Sequence, residues 1–225
     1  DDRAAFWTGF LASGHIPGSD LYRELAPAML EMVGSRAVKD DYAANLASML
    51  LAGWGTRPAD GARYITDEQM RHALLMGGDR FRSHILWRLE RWWSGDSQDE
   101  RDRVIEFLET TWPRQQAVRT ARTTDRLVEL ALSAENDFSR MVSAVVPHVG
   151  RLTADGSTLY SLLVDESTWV VSHPDEVLTL LYAVLDESAR AWPYGAEQAA
   201  TRLTQQSAVS LDPRLLELRR RLVAR

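Results

Sequence analysis

Four arginines lie close together in the middle of the chain, in a stretch with a single acidic side chain, Asp125. The arginines of residues 112–126 are Arg114, Arg119, Arg122 and Arg126. Guanidinium groups bind phosphate and carboxylate oxygens in pairs, and free N–H groups at a helix start add to such a site. We predict that this segment binds an anion or a protein partner. The alternative is that the arginines pair with acidic neighbours and hold a long loop in place.

Tryptophan is the second residue type that points to binding, since the chain of 225 residues contains eight. Trp87 and Arg91 are four positions apart, so their side chains can stack on one helix face. Core packing is the favoured interpretation for Trp87 and Trp92. Trp93 points to a different face, and we predict that it is available to a partner. Exposed tryptophan is also a platform on which single-stranded bases stack.

The residue types that carry most enzyme chemistry are missing or poorly spaced. The absence of cysteine excludes disulfides, thiolate metal sites and a cysteine nucleophile. None of the five histidines lies three or four positions from another, so no helix presents a two-histidine metal face. Phosphate-loop and nucleophile-elbow motifs are also absent. We predict a protein that is not an enzyme and has no metal or cofactor; an all-α enzyme with a polar pocket is the competing hypothesis.

The overall charge narrows the range of partners. A formal net charge of −6 argues against non-specific binding of nucleic acid by the whole surface. No long uncharged apolar run is present, which predicts that the chain does not span a membrane. Together with the lack of cysteine, this favours a cytoplasmic protein.

Helical patterns that would position these residues cover almost the whole chain. Thr66 with Gln69, and Ser97 with Glu100, predict capping boxes at two helix starts. The pairs Trp112-Pro113 and Trp192-Pro193 each follow an amphipathic stretch and are expected to end it. Thr124 or Asp125 is predicted to begin the helix after the arginines. The best strand candidate, residues 169–171, is too short to build a sheet.

The spacing of these elements predicts an all-α architecture. From residue 37 onward the helices pair off every 35–45 residues or so, which is typical of HEAT-like or armadillo-like repeats. We predict an irregular α-solenoid of helix hairpins that forms one domain over residues 1–225. A compact all-α domain without repeats is the alternative. The weakest point of the single domain is the Gly- and Pro-rich loop at 54–63.

Three segments resemble a known group of proteins. They are Trp112-Pro113-Arg114-Gln115 with Ala117-Val118-Arg119-Thr120, then Ala191-Trp192-Pro193-Tyr194-Gly195, and Leu216-Glu217-Leu218-Arg219-Arg220-Arg221. Together they resemble the helical C-terminal regions of large bacterial multidomain proteins that act in anti-phage defence and carry a sirtuin-like or NTPase domain upstream. The resemblance covers residues 80–225 and implies a sensing, scaffolding or oligomerisation module. It implies no catalytic residue in this chain.

We therefore predict a non-catalytic interaction module, the C-terminal piece of a longer bacterial polypeptide. Its partner is another protein or another domain of the same polypeptide. The alternative is a nucleic-acid sensor that uses the arginines of residues 112–126 and an exposed tryptophan.

Overall fold

A computed structural model describes residues 20–34, 40–57, 61–152 and 168–224, and most of these residues are helical. The eleven α-helices of this part of the chain are α1 (Asp20–Met32), α2 (Asp40–Gly55), α3 (Asp67–Met76), α4 (Asp79–Trp93), α5 (Gln98–Glu106), α6 (Ala121–Leu132), α7 (Phe138–Val145), α8 (Trp169–Ser172), α9 (Pro174–Val184), α10 (Ala196–Leu203) and α11 (Pro213–Val223). The described ranges contain no strand, only an isolated bridge between Leu152 and Leu185. The all-α prediction is confirmed, and the strand candidate at 169–171 is a helical turn.

The helix starts follow local side-chain chemistry. At α3 the Thr66 side chain accepts a hydrogen bond from the Gln69 N–H, and the Gln69 side chain accepts one from the Thr66 N–H, so this capping box is confirmed. At α5 the Ser97 hydroxyl accepts from the Glu100 N–H. Such caps satisfy N–H groups that have no partner inside the helix.

The two Trp-Pro pairs mark different kinds of helix end. The first behaves as predicted, because α5 continues as a π-helical turn, Phe107–Thr111, and stops before Trp112-Pro113. The second is farther from its helix than expected. Helix α9 already ends at Val184, and a short 3-10 turn, Ala189–Ala191, fills the space before Trp192. The reason is tertiary: the Arg151 guanidinium binds the carbonyls of Tyr182, Ala183 and Leu185 and so caps α9 early.

The chain divides into two compact units, one up to Pro113 and one from Arg114 onward. In the first unit α2 packs along α4, and the core includes Tyr22, Leu50, Trp54, Ile85 and Phe107. In the second unit α7 packs on α6 and α9, and the core includes Leu127, Phe138, Met141, Leu178 and Leu215. The predicted loop at 54–63 falls in the range of the first unit, and its first two residues, Trp54 and Gly55, still belong to α2. That residues 1–225 form a single domain stays a prediction.

Candidate interaction surfaces

The predicted arginine site is partly loop and partly helix. After Pro113 the chain makes a 3-10 turn, Gln116–Val118, and α6 then begins at Ala121 with Thr120 as its N-cap. The expectation that Thr124 or Asp125 begins this helix was wrong. The buried Thr124 hydroxyl instead accepts a hydrogen bond from the Gly150 N–H at 2.8 Å. We call residues 114–126 the arginine segment.

Arg119 anchors the arginine segment from within. One guanidinium nitrogen, Nη2, donates to the carbonyls of Arg114 at 2.9 Å and Pro147 at 2.8 Å. The backbones are also close here, because a Cβ added at Gly150 would lie 2.3 Å from the Arg119 carbonyl oxygen. Arg119 therefore ties the segment to the turn at 146–150 and is not a free ligand for an anion.

The other three arginines differ in what they contact. Arg126 forms an ion pair with Glu129 one turn later on α6. Both side chains are more than a third exposed, so this pair contributes little to stability. Arg114 and Arg122 are exposed, and within the described part of the chain their guanidinium groups form neither an ion pair nor a hydrogen bond. The predicted cluster of four thus contains two arginines with internal partners and two without.

On helix α4 the exposure of Trp87 and Trp93 is the opposite of that predicted. Trp93 is only 3% exposed, so it is not available to a partner as predicted. It lies four residues after Leu89 and eight after Ile85, both in the core, and this periodicity was the signal that it is buried. Trp87 is 38% exposed, and the guanidinium carbon of Arg91 lies 5.1 Å from its ring centroid. The predicted stacking of Trp87 with Arg91 is confirmed. It lies on the protein surface, although Trp87 was expected to pack in the core.

One charged site of the first unit was missed by sequence reasoning. Its centre is Asp67, whose Oδ1 atom accepts hydrogen bonds from Trp54 Nε1 at 2.7 Å, Arg63 Nη1 at 2.9 Å and Thr111 Oγ1 at 2.7 Å. Arg63 also binds Glu106 at 2.7 Å and lies over the Trp54 ring, 4.1 Å from its centroid. We call these five residues the Asp67 cluster.

The electrostatics of the Asp67 cluster favour the ionised carboxylate. Burial acts to raise the pKa of Asp67, but the hydrogen bonds from Thr111 and Trp54 and the charges of Arg63 and Arg71 outweigh it. The pKa therefore lies below its usual range. Thr111 reaches Asp67 from the π-helical turn, and no sequence signal predicts such a turn. Because each charged member already has a partner, the cluster is a structural element.

The second unit contains comparable ion pairs around Arg214. Its guanidinium binds Asp212 and Asp175, both at 2.7 Å, and donates to the Thr179 hydroxyl. The hydrogen bond to Asp212 is the main reason that the pKa of Arg214 is raised and that of Asp212 is lowered. On α11, hydrogen bonds from two further arginines lower the pKa of Glu217 to about 2. These ion pairs link side chains within α11 and connect α11 to α9.

A cleft of about 240 Å³ lies in the first unit. Its walls come from α1, α2 and the turn between α3 and α4, and they include Met32, Leu46, Met76, Arg80 and Phe81. In the described ranges, no group of three histidine, aspartate or glutamate side chains is arranged to hold a metal ion. Nor is any helix in those ranges long and apolar enough to cross a membrane.

Comparisons with protein-family models, curated proteins and solved structures find no match to this chain.

Proposed function

We propose that this chain is a non-catalytic helical interaction module, and that Arg114 and Arg122 contact an acidic surface of a protein partner. One observation carries the proposal. Both guanidinium groups are exposed and lack partners in the described residues, whereas Arg119 fixes the backbone between them through two carbonyls. A segment held in this way loses less conformational entropy on binding than a mobile loop would.

The ion pairs elsewhere in the chain support a role in binding. In the Asp67 cluster and around Arg214 the charged side chains neutralise one another, so they offer no group ready to transfer a proton. The arginine segment is different because its exposed positive charges are not neutralised locally. An acidic partner would supply the missing charge.

Nucleic acid is the weaker candidate for this segment. That hypothesis relies on four arginines and on Trp93 as a stacking platform. Arg119 binds carbonyls, Arg126 pairs with Glu129 and Trp93 is buried. The arginine segment contains no aromatic residue on which a base could stack, so its two exposed guanidinium groups suit a pair of carboxylates better than a single strand.

The wider context of the module is also a proposal. Helices near in sequence pack together, such as α4 with α5 and α6 with α7, which supports an irregular solenoid of helix hairpins. The resemblance to C-terminal regions of bacterial anti-phage proteins supports a cytoplasmic sensing or scaffolding role. The partner would then be another protein or another domain of the same polypeptide.

The test is quantitative affinity purification with charge-reversed protein. The variant combines Arg114→Glu with Arg122→Glu and leaves Arg119 in place, so that the segment keeps its anchor. The control is Arg219→Glu together with Arg190→Glu, two exposed arginines of the same unit outside the segment. Chemical cross-linking then locates the contact on each enriched partner.

We expect at least one acidic partner to be lost with the segment variant, kept with the control and cross-linked at residues 114–126. The proposal is wrong if every partner of the wild-type protein is retained by the segment variant. It is equally wrong if both variants lose the same partners, because net charge alone would then explain the binding.

A further inference from the structure

Helix α4 presents a row of cationic and aromatic side chains on the side opposite its core face. Phe81, Ile85 and Leu89 are buried, and the helical period of 3.6 residues places a second row about half a turn away. The residues of that row are Arg80, His84, Trp87 and Arg91, and Arg88 flanks it. The row spans about 16 Å along the helix, at 1.5 Å per residue. It belongs to the first unit and shares no residue with the arginine segment.

Trp87 and its two arginine neighbours form the centre of this row. The guanidinium carbons of Arg88 and Arg91 lie 5.3 Å and 5.1 Å from the centroid of the indole ring. Arg88 is held further by a hydrogen bond of 3.0 Å from its Nε to the Ser48 hydroxyl on α2. These contacts favour one arrangement of an indole and two cations on the surface.

The positive charge of this centre is not neutralised within the described part of the chain. Arg88 and Arg91 are exposed and form no ion pair there. Of the two acids on α4, Asp79 pairs with the buried Arg82, and Glu90 lies beside the row rather than in it. A ligand that fits must therefore be an anion with a flat group that can lie against an indole.

We propose that this face of α4 binds single-stranded nucleic acid, with a base against Trp87 and the adjacent phosphates at Arg88 and Arg91. Single strands expose bases that can stack on aromatic side chains, whereas the bases of a duplex are stacked on each other. Guanidinium groups bind phosphate oxygens through paired hydrogen bonds. An acidic peptide would use the two cations but would place no flat group against the exposed part of the indole.

The experiment measures fluorescence anisotropy of a labelled short oligothymidine with the full chain, at salt concentrations from about 50 to about 200 mM. One variant is Trp87→Ala, with Trp87→Phe to retain an aromatic ring. A second combines Arg88→Gln and Arg91→Gln. The control combines Arg190→Gln and Arg219→Gln, which removes the same charge from two exposed positions outside both surfaces. Circular dichroism confirms that each variant is folded.

We expect Trp87→Ala to weaken binding by about 5- to 150-fold, the range found when a stacking aromatic is removed. Trp87→Phe should recover part of this loss. The Arg88/Arg91 variant should weaken binding and reduce the slope of log affinity against log salt by about 1.4, since each phosphate contact on a single strand contributes about 0.7. The control should bind like the wild-type protein.

Four results would overturn the proposal. The first is that the wild-type protein does not bind at about 50 mM salt, and the second is that the α4 variants bind as well as the control. The third is that a duplex binds as tightly as the single strand. The fourth is that oligoglutamate displaces the labelled oligonucleotide as well as unlabelled oligothymidine does. The last result would assign this face to an acidic protein partner.

Discussion

The Asp67 cluster of the first unit and the arginine segment of the second unit both contain arginine, but they use it in opposite ways. Arg63 is only 12% exposed and contacts two carboxylates and an indole ring. Arg114 and Arg122 are exposed and have no ion pair among the described residues. In the first region arginine completes the packing, and in the second it remains available to a partner.

The difference shows that acceptors nearby in space, either carboxylates or backbone carbonyls, decide the role of an arginine more than the density of arginine in the sequence. The arginine segment has the higher local positive charge, yet Arg119 within it is as structural as Arg63. The contrast leads to four expectations about stability, from the largest effect to the smallest.

Replacement of Arg63 by alanine should produce the largest loss. It removes two ion pairs and the cation–π contact with Trp54, and it leaves Asp67 and Glu106 with fewer partners. Because both carboxylates are partly exposed, we expect about 2 to 3 kcal/mol, below the value for a fully buried pair. Chemical denaturation measures this loss. Arg57→Ala is the control, since Arg57 binds the same Glu106 from an exposed position and should cost about 0.5 kcal/mol or less.

Gly150→Ala should disrupt the base of the arginine segment. The new Cβ would lie 2.3 Å from the Arg119 carbonyl oxygen, so the backbone must move. We expect a loss of about 2 kcal/mol in the free energy of unfolding. In Gly78→Ala the new Cβ meets no atom within 4 Å. Gly78 is the N-cap of α4, where alanine is less favourable than glycine, so this control should cost about 0.5 kcal/mol. Equal effects of the two substitutions would contradict the close approach of these backbones.

Arg119→Ala and Arg122→Ala should separate the structural arginine from the available one. Loss of the charged hydrogen bonds from Arg119 to two carbonyls should cost about 1.5 kcal/mol. Arg122→Ala should stay within about 0.5 kcal/mol of the wild-type protein. Hydrogen exchange provides a second measurement, because the Gly150 amide should lose protection only in the Arg119 variant. The comparison fails if both variants are equally stable.

Asp67→Asn should change the free energy of unfolding least, since nearly half of the Asp67 side chain is exposed. The size of this change should depend on pH. The folded-state pKa of Asp67 lies below the usual value of 3.8. Its contribution to stability is therefore complete above that value and is lost as the pH falls through the folded-state pKa. We expect the difference between wild-type and variant unfolding free energies to shrink in acid. A difference that is constant from neutral to acidic pH would show that ionisation of Asp67 plays no part.

Local features of the sequence predicted where helices begin and end better than they predicted which side chains form the binding surfaces. The Thr66–Gln69 capping box and the end of a helix at Trp112-Pro113 depend on neighbouring residues, and both are confirmed. The start of α6 was misplaced because the local cap is Thr120, whose hydroxyl accepts from the Thr123 N–H, while the Thr124 hydroxyl binds Gly150. The Asp67 cluster was missed because its members are far apart in sequence, from the end of α2 to the turn after α5. The sequence also predicts helices at about 2–13 and 157–166, and both ranges lie outside the described residues.

The sequence by itself determined that the described chain is helical, because apolar residues at helical spacing and side-chain caps act within a few positions. Only the tertiary structure decided which arginines have partners. That outcome depends on acceptors that folding brings together, such as the Pro147 carbonyl at Arg119. An arginine is available for binding where packing leaves its terminal guanidinium nitrogens without an acceptor.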